Sequence, residues 1–245
     1  MLYLIGTGLY YLDDIPLRAI DILKQCDSIY IERYTNLNDV SFLNDLKKTI
    51  GKDIFEIKRS DVESDLLLAE AKKGKIALLV PGDPLSATTH ISLLMDCKSQ
   101  KINYSVVHAS SIFTAAAECG LSMYRFGAVT SVPIYTENYK PESFFDVIQR
   151  NLENGMHSLV LLEVQDGEKF VSLEAALKTI KEIETRRGLK IIDWGTVVCM
   201  SRMGGKEQRI TFAEKTKESV KPPISLVIPA KLNDNEKEAL SLLIG

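Results

Sequence analysis

The segment LLVPGDPLSATTH, residues 78–90, passes from an unbroken apolar run into Pro-Gly-Asp-Pro and then into a polar tail of small side chains. With "IA" before it, the apolar part reads "IALLV", and a run without polar alternation is what a strand buried on both faces requires. Gly82 permits a bend that other residues resist, while Pro81 and Pro84 stiffen the chain on either side of Asp83. In an open α/β sheet, ligands bind beyond the carboxyl ends of the strands, and Asp83 would stand at such an end. Two readings of Asp83 stay open on these grounds. It recognises a ligand hydroxyl or positive charge, or it caps the following helix.

The rest of the first half alternates short apolar runs with amphipathic segments. "LYLIGTG", "SIYIERY", "DIFEIKR", "IALLVPGD" and "NYSVVHAS" read as strands. Between them, "DDIPLRAIDILKQC" is expected to be a helix capped by Asp14, with Ile15, Ala19, Ile22, Leu23 and Cys26 on one face. Residues 38–50, "DVESDLLLAEAKKGK" closed by Gly74, residues 88–99, and "SIFTAAAECG" are the other expected helices. This alternation predicts a mainly parallel sheet with helices on both faces, over residues 1–127. From 128 to 245 the strands "AVTSVPIY", "HSLVLLEV", "TVVCMSR", "QRITFA" and "ISLVIPA" join three helices at "PESFFDVIQRNLENG", "SLEAALKTIKEIETRRG" and "NDNEKEALSLLI". Some of these strands follow one another without a helix between, which predicts a mixed sheet and a second α/β domain, with a ligand cleft between the two.

Composition narrows the function classes. Thirty Lys and Arg against 33 Asp and Glu give a formal charge of -3, which argues against nucleic-acid binding through a basic surface. No run approaches the roughly 20 apolar residues that cross a bilayer, and the start reads as a strand, not a signal peptide. Cys26, Cys97, Cys119 and Cys199 lie far apart among apolar neighbours, as buried reduced thiols do, and His90, His108 and His157 are too scattered to suggest a metal site. The expectation from composition is a soluble intracellular protein, with neither a membrane nor a nucleic acid as its partner.

"GTG" at 6–8 follows the first strand, but a dinucleotide fingerprint would need glycine at 11, where Tyr11 stands. The motif is a tight turn or a close approach to a ligand. In "HASSIFTA", Ser110 and Ser111 stand where a strand ends and a helix begins, so free backbone N–H groups there either receive a carboxylate or are simply capped.

Together, "LYLIGTGLYYLDDI", "VPGDPLSATTH", "VHASSIFTAAAECGLSMYRFG" and "PPISLVIPAKLNDNEKEAL" resemble the diphthine synthases of the tetrapyrrole methylase superfamily, in order and over nearly the whole chain. The resemblance implies two α/β domains of the tetrapyrrole methylase type with a cofactor cleft between them, and a homodimer. It implies S-adenosyl-L-methionine as methyl donor, with S-adenosyl-L-homocysteine as product. The family acts on translation elongation factor 2. It trimethylates the amino group of a 3-amino-3-carboxypropyl-histidine to give diphthine, a step of diphthamide biosynthesis; the eukaryotic relatives add a fourth methyl as an ester. Carried over by motif, the cofactor contacts fall on Leu9, Asp83, Ser86, Ser111, Ile112, Leu162, Met203 and Ile224. Two positions depart from the family. Ser86 replaces an apolar residue, which leaves a contact through its backbone, and Ser110 stands in place of proline.

Methyl transfer from a sulfonium is an in-line displacement, so the protein's work is mainly positioning; well-oriented groups gain roughly 7–11 kcal/mol. A catalytic base is not assigned from the sequence. Asp83 is placed suitably but reads better as a cofactor residue, and Glu32, Tyr34 and Glu163 are substrate-side candidates. Tyr10, Tyr11, Tyr30 and Tyr34 could pack against a quaternary ammonium product. Three other readings remain: a methylase of a corrin precursor, a sensor that binds S-adenosylmethionine without transferring methyl, and a nucleotide-binding protein.

Overall fold

The computed structural model describes residues 1–10, 12–32, 40–165, 169–216 and 220–244 of the 245-residue chain. Two compact units follow one another, Met1–Ser111 and Ile112–Gly245.

In the first unit, β1 (Leu2–Gly6), β2 (Ser28–Glu32), β3 (Phe55–Ile57), β4 (Ile76–Val80) and β5 (Tyr104–Val107) form a parallel sheet in the order β3-β2-β4-β1-β5. The crossovers are α1 (Leu17–Gln25), α2 (Val40–Ile50), α3 (Arg59–Val62) with α4 (Leu66–Lys73), and α5 (Ile91–Ser99). Alternation along the strands feeds two cores. Ile5, Ala77 and Leu79 pack with Ala19, Leu23 and Leu46 of α1 and α2, whereas Leu2, Leu4, Leu78 and Val80 pack with Leu67, Leu68, Leu93 and Cys97 of α4 and α5. All five residues of β4 are buried, as its apolar run requires.

Three local expectations are corrected. Asp14 does not cap α1: its Oδ2 accepts the Tyr10 N–H at 2.8 Å, and Pro16 takes the cap position. The helix expected over residues 61–75 is two, because the Ser64 hydroxyl accepts the Leu66 N–H and breaks the run. Gly74 closes α4 in an extended conformation and not a left-handed one; a Cβ there would lie 2.4 Å from Asp27 Oδ2, so close approach, not a positive φ, calls for glycine.

The second unit opens with the short α6 (Ile112–Ala115), then runs β6 (Thr130–Val132), α7 (Ser143–Glu153), β7 (Ser158–Leu162), β8 (Val164–Gln165), β9 (Lys169–Phe170), α8 (Leu173–Arg186), β10 (Val198–Ser201), β11 (Arg209–Phe212), β12 (Ile224–Ile228) and α9 (Asp234–Ile244). Its sheet, β11-β10-β12-β7-β6, is antiparallel except for the parallel β6–β7 pair, and β8 and β9 make a small ribbon of their own. The core gathers Phe144, Phe145 and Ile148 of α7 and Ala176, Ile180 and Ile183 of α8 against Val160, Cys199, Leu226 and Ile228. Residues 112–127 group with this unit although they precede its first strand; Gly120, at φ 89°, stands against Ala239 of α9.

Two buried carboxylates brace the second unit. Glu184 of α8 accepts the Ile191 and Ile192 N–H groups at 2.9 and 3.0 Å and the Trp194 indole N–H at 2.8 Å. Glu236 of α9 accepts from His157 Nε2 at 3.0 Å and pairs with Arg125. His157 Nδ1 accepts the Ala230 N–H at 3.0 Å, so its single proton lies on Nε2. Burial pushes the His157 imidazole below the ordinary range, against the opposing pull of Glu236. Burial also works to raise Glu236, but the hydrogen bonds from His157, Asn233 and Ser122 carry it to a net value below the ordinary range.

Among the described residues, no helix is long and apolar enough to cross a membrane.

Candidate functional site

The carboxyl ends of β4, β1 and β5, three neighbouring strands, converge on Gly6. A Cβ at Gly6 would lie 2.5 Å from the Gly82 carbonyl oxygen and 2.9 Å from both Pro84 Cδ and Ala109 Cβ. Its lack of a side chain lets the loops leaving β4 and β5 close over the end of β1. Gly8 and Gly82, at φ 81° and 74°, then bridge the "GTG" and "PGDP" loops through backbone hydrogen bonds of 3.2 and 2.9 Å. This brings Leu9 beside the Asp83 loop. The "GTG" segment is thus a turn in the left-handed region that also serves a close backbone approach.

Asp83 is 9% exposed, and both its oxygens are occupied. Oδ1 accepts the Leu85 N–H at 3.0 Å and the Ser86 hydroxyl at 3.3 Å; Oδ2 accepts His108 Nδ1 at 2.8 Å and the Ala109 N–H at 3.3 Å. A carboxylate offers about four acceptor sites, so Asp83 clamps its own loop and ties it to the end of β5. It does not cap α5, which starts only at Ile91 and not at residue 88. The intervening "SATTH" folds on the Pro84 carbonyl, which receives the Thr88 hydroxyl at 3.0 Å and stands 3.2 Å from His90 Nδ1. Burial pushes the His90 imidazole below its ordinary range, with the Pro84 carbonyl opposing. The Ser86 hydroxyl is turned to Asp83 Oδ1, at 3.3 Å, and its backbone N–H to the Asp83 carbonyl.

Ser111 is buried, and its Cβ lies 3.7 Å from where a Cβ on Gly82 would stand; Ile112 opens α6 and is half-buried, and Ser110 is exposed. In the second unit, Leu162, Met203 and Ile224 are buried together at one end of the sheet. Ser225 pairs with Leu161, so Ile224 and Leu162 lie one step beyond, while Ile224 pairs with Ser201, two residues before Met203. Of the eight residues expected to meet a cofactor, Leu9, Asp83, Ser86 and Ser111 lie beyond strand ends of the first sheet, Leu162, Met203 and Ile224 at an end of the second, and Ile112 opens α6. Of the substrate-side candidates, Glu32 is fully buried, and Glu163 is turned to the Ile134 N–H at 2.6 Å. The Tyr30 ring lies 6.1 Å from that of Phe55, tilted by 42°. Tyr10 is half-buried near the bridge, while Tyr11 and Tyr34 lie outside the described residues.

Sequence reasoning missed the link between Asp83 and His108, 25 residues apart. Their shared place at the ends of strands flanking β1 was the signal that could have found it. It also missed Thr7, which is buried and whose Oγ1 has no hydrogen-bond partner among the described residues. A buried hydroxyl without a protein partner, beside the glycine bridge, is a polar group that a bound molecule could satisfy. Among the described residues no three His, Cys, Asp or Glu side chains gather to hold a metal ion. The four cysteines are buried and free; burial raises Cys26 and Cys119 to about 11 and Cys199 to about 12. A cavity of about 330 Å³ opens among α3, α4 and α5, lined by Glu63, Asp65, Leu68, His90 and Asp96, but none of the eight residues borders it.

Residues 1–217 match the family model of the tetrapyrrole (corrin/porphyrin) methylases. The diphthine synthase of Methanococcus vannielii is 36% identical, covering 99% of this chain and 98% of its own. The diphthine methyl ester synthase of Saccharomyces cerevisiae is 35% identical, covering 93% of this chain and 84% of its own. A crystal structure of diphthine synthase superposes with a TM-score of 0.87 at 27% identity, over 99% of this chain and 95% of that one. The chain belongs to the tetrapyrrole methylases, within the diphthine synthase family.

Proposed function

We propose that this chain is an S-adenosylmethionine-dependent methyltransferase acting on translation elongation factor 2, where it trimethylates the amino group of 3-amino-3-carboxypropyl-histidine to give diphthine. The observation that carries this reading is the end-to-end likeness to proteins named diphthine synthase, together with the closed loop cluster at Gly6, Gly8 and Gly82. S-adenosylmethionine, when bound, supplies an electrophilic methyl group and leaves as S-adenosylhomocysteine. Leu9, Ser86, Ser111 and Ile112 contact it from the first sheet edge and its continuation, and Leu162, Met203 and Ile224 from the second sheet. Asp83 contributes by fixing the loop that meets it. The enzyme works as a cytoplasmic homodimer, without membrane or nucleic acid.

The protein's own contribution is positional. Buried surroundings disfavour the charged form of the substrate ammonium and so favour the neutral, nucleophilic amine. Stiff loops around Gly82 hold the reactants at the short separation that displacement requires, about 3–3.5 Å. The test uses methyl-labelled S-adenosylmethionine with two forms of elongation factor 2, one carrying the aminocarboxypropyl group and one with plain histidine. Label enters only the first; label in neither, with cofactor binding intact, contradicts the reading.

A further inference from the structure

We infer that His108 is the base that takes the proton from the substrate ammonium, with Asp83 as its positioning partner. The inference rests on the methyltransferase reading of this site. Of the three histidines, His90 is 2% exposed and His157 is 0% exposed, each with its ring engaged inside the protein. The His108 side chain is 62% exposed, at the carboxyl end of β5. Its Nδ1 lies 2.8 Å from Asp83 Oδ2, and a carboxylate can only accept, so Nδ1 carries the proton. In the neutral ring Nε2 is then the acceptor, and none of the hydrogen bonds among the described residues uses it. The Ala109 N–H on the same carboxylate oxygen fixes Asp83 and hence the ring plane.

A buried aspartate that holds a histidine by Nδ1 sets its tautomer and stabilises the imidazolium formed when Nε2 takes a proton. The other carboxylates are less suited. Asp83 has its acceptor sites filled, Glu32 is fully buried, and Glu163 is turned to a backbone N–H. In the step, the substrate N–H bond breaks and the proton joins His108 Nε2. The freed nitrogen pair then forms the N–CH₃ bond while the C–S bond breaks, its electrons passing to sulfur. His108 releases the proton to water before the next round. Three methylations from the ammonium remove three protons, one before each transfer.

The experiment compares wild type, H108A and H108Q in single-turnover transfer to the aminocarboxypropyl-bearing elongation factor, from neutral to alkaline pH. Both variants should be slower by roughly 10²–10⁴-fold at neutral pH, the usual worth of a positioned base. The deficit should shrink at alkaline pH, added imidazole should restore part of the H108A rate, and S-adenosylhomocysteine affinity should be unchanged. Nitrogen-15 NMR of the free wild-type protein should show a protonated Nδ1 and a bare Nε2. A wild-type rate in H108A overturns the proposal, as does a slow H108A that has also lost cofactor affinity, or a protonated Nε2 with a bare Nδ1. Inactivity of the wild type on this substrate would instead overturn the substrate reading, and the NMR result would still judge the Asp83–His108 pair.

Discussion

Gly8 and Gly82 exchange backbone hydrogen bonds in both directions, across loops that are more than 70 residues apart in sequence, and both do so at positive φ. This bridge, with Gly6 beneath it, is what makes a site of three strand ends. A Cβ on Gly8 would fall 2.3 Å from Asp14 Cβ. Replacing Gly6 or Gly8 by alanine should therefore force the loops apart, at a cost of about 1–3 kcal/mol in stability. Both variants should also lose affinity for S-adenosylhomocysteine. Denaturant titration and calorimetry check this; a G6A protein that keeps both properties would show that the loops need not close over β1.

Asp83→Ala removes the acceptor for two backbone N–H groups, the Ser86 hydroxyl and His108. Cofactor binding should weaken by about 1–3 kcal/mol, the scale of leaving buried donors unmade. An unchanged dissociation constant would remove Asp83 from the site.

Glu184→Ala strands the Ile191, Ile192 and Trp194 donors, two of them on largely buried backbone. Unfolding free energy should fall by roughly 2–3 kcal/mol, and by less in E184Q, which keeps an acceptor oxygen. Equal losses in the two variants would mean that the charge, not the acceptor, matters.

How much of this was legible follows from range. The β4 strand announced itself because all five residues are apolar, and the alternation of strands and helices gave the parallel sheet with helices on both faces. What stayed hidden depends on contacts distant in sequence. Gly74 is glycine because of Asp27, and Asp14 serves Tyr10 and not a helix end. Glu184 sits on the same buried helix face as Ala176, Ile180 and Ile183, where an amphipathic pattern gives no reason for a carboxylate until the Trp194 loop folds back onto it. The eight positions expected to meet a cofactor came from motif resemblance; the fold sets Leu9, Asp83, Ser86 and Ser111 beyond strand ends of the first sheet, and Leu162 and Ile224 together at an end of the second.

Acid should destabilise the fold early. The His90 and His157 imidazoles lie below their ordinary value of 6.5 in the folded state, chiefly through burial, so the unfolded chain binds these protons first. Stability is then full above about pH 6.5 and falls as the pH drops below it, with Glu236 adding a further loss below its ordinary 4.5. Melting temperature measured against pH should decline from near 6.5 downward, and the decline should flatten in H157Q. A melting temperature flat down to pH 5 would contradict the buried neutral state of both histidines.

The most direct test is the intact mass of elongation factor 2 carrying the aminocarboxypropyl-histidine, before and after exhaustive reaction with this protein and S-adenosylmethionine. A gain of three methyl masses is predicted. A gain of four would make the product the methyl ester, as the name of the yeast relative describes for that protein. No gain, from protein that binds S-adenosylhomocysteine, would contradict the proposed substrate.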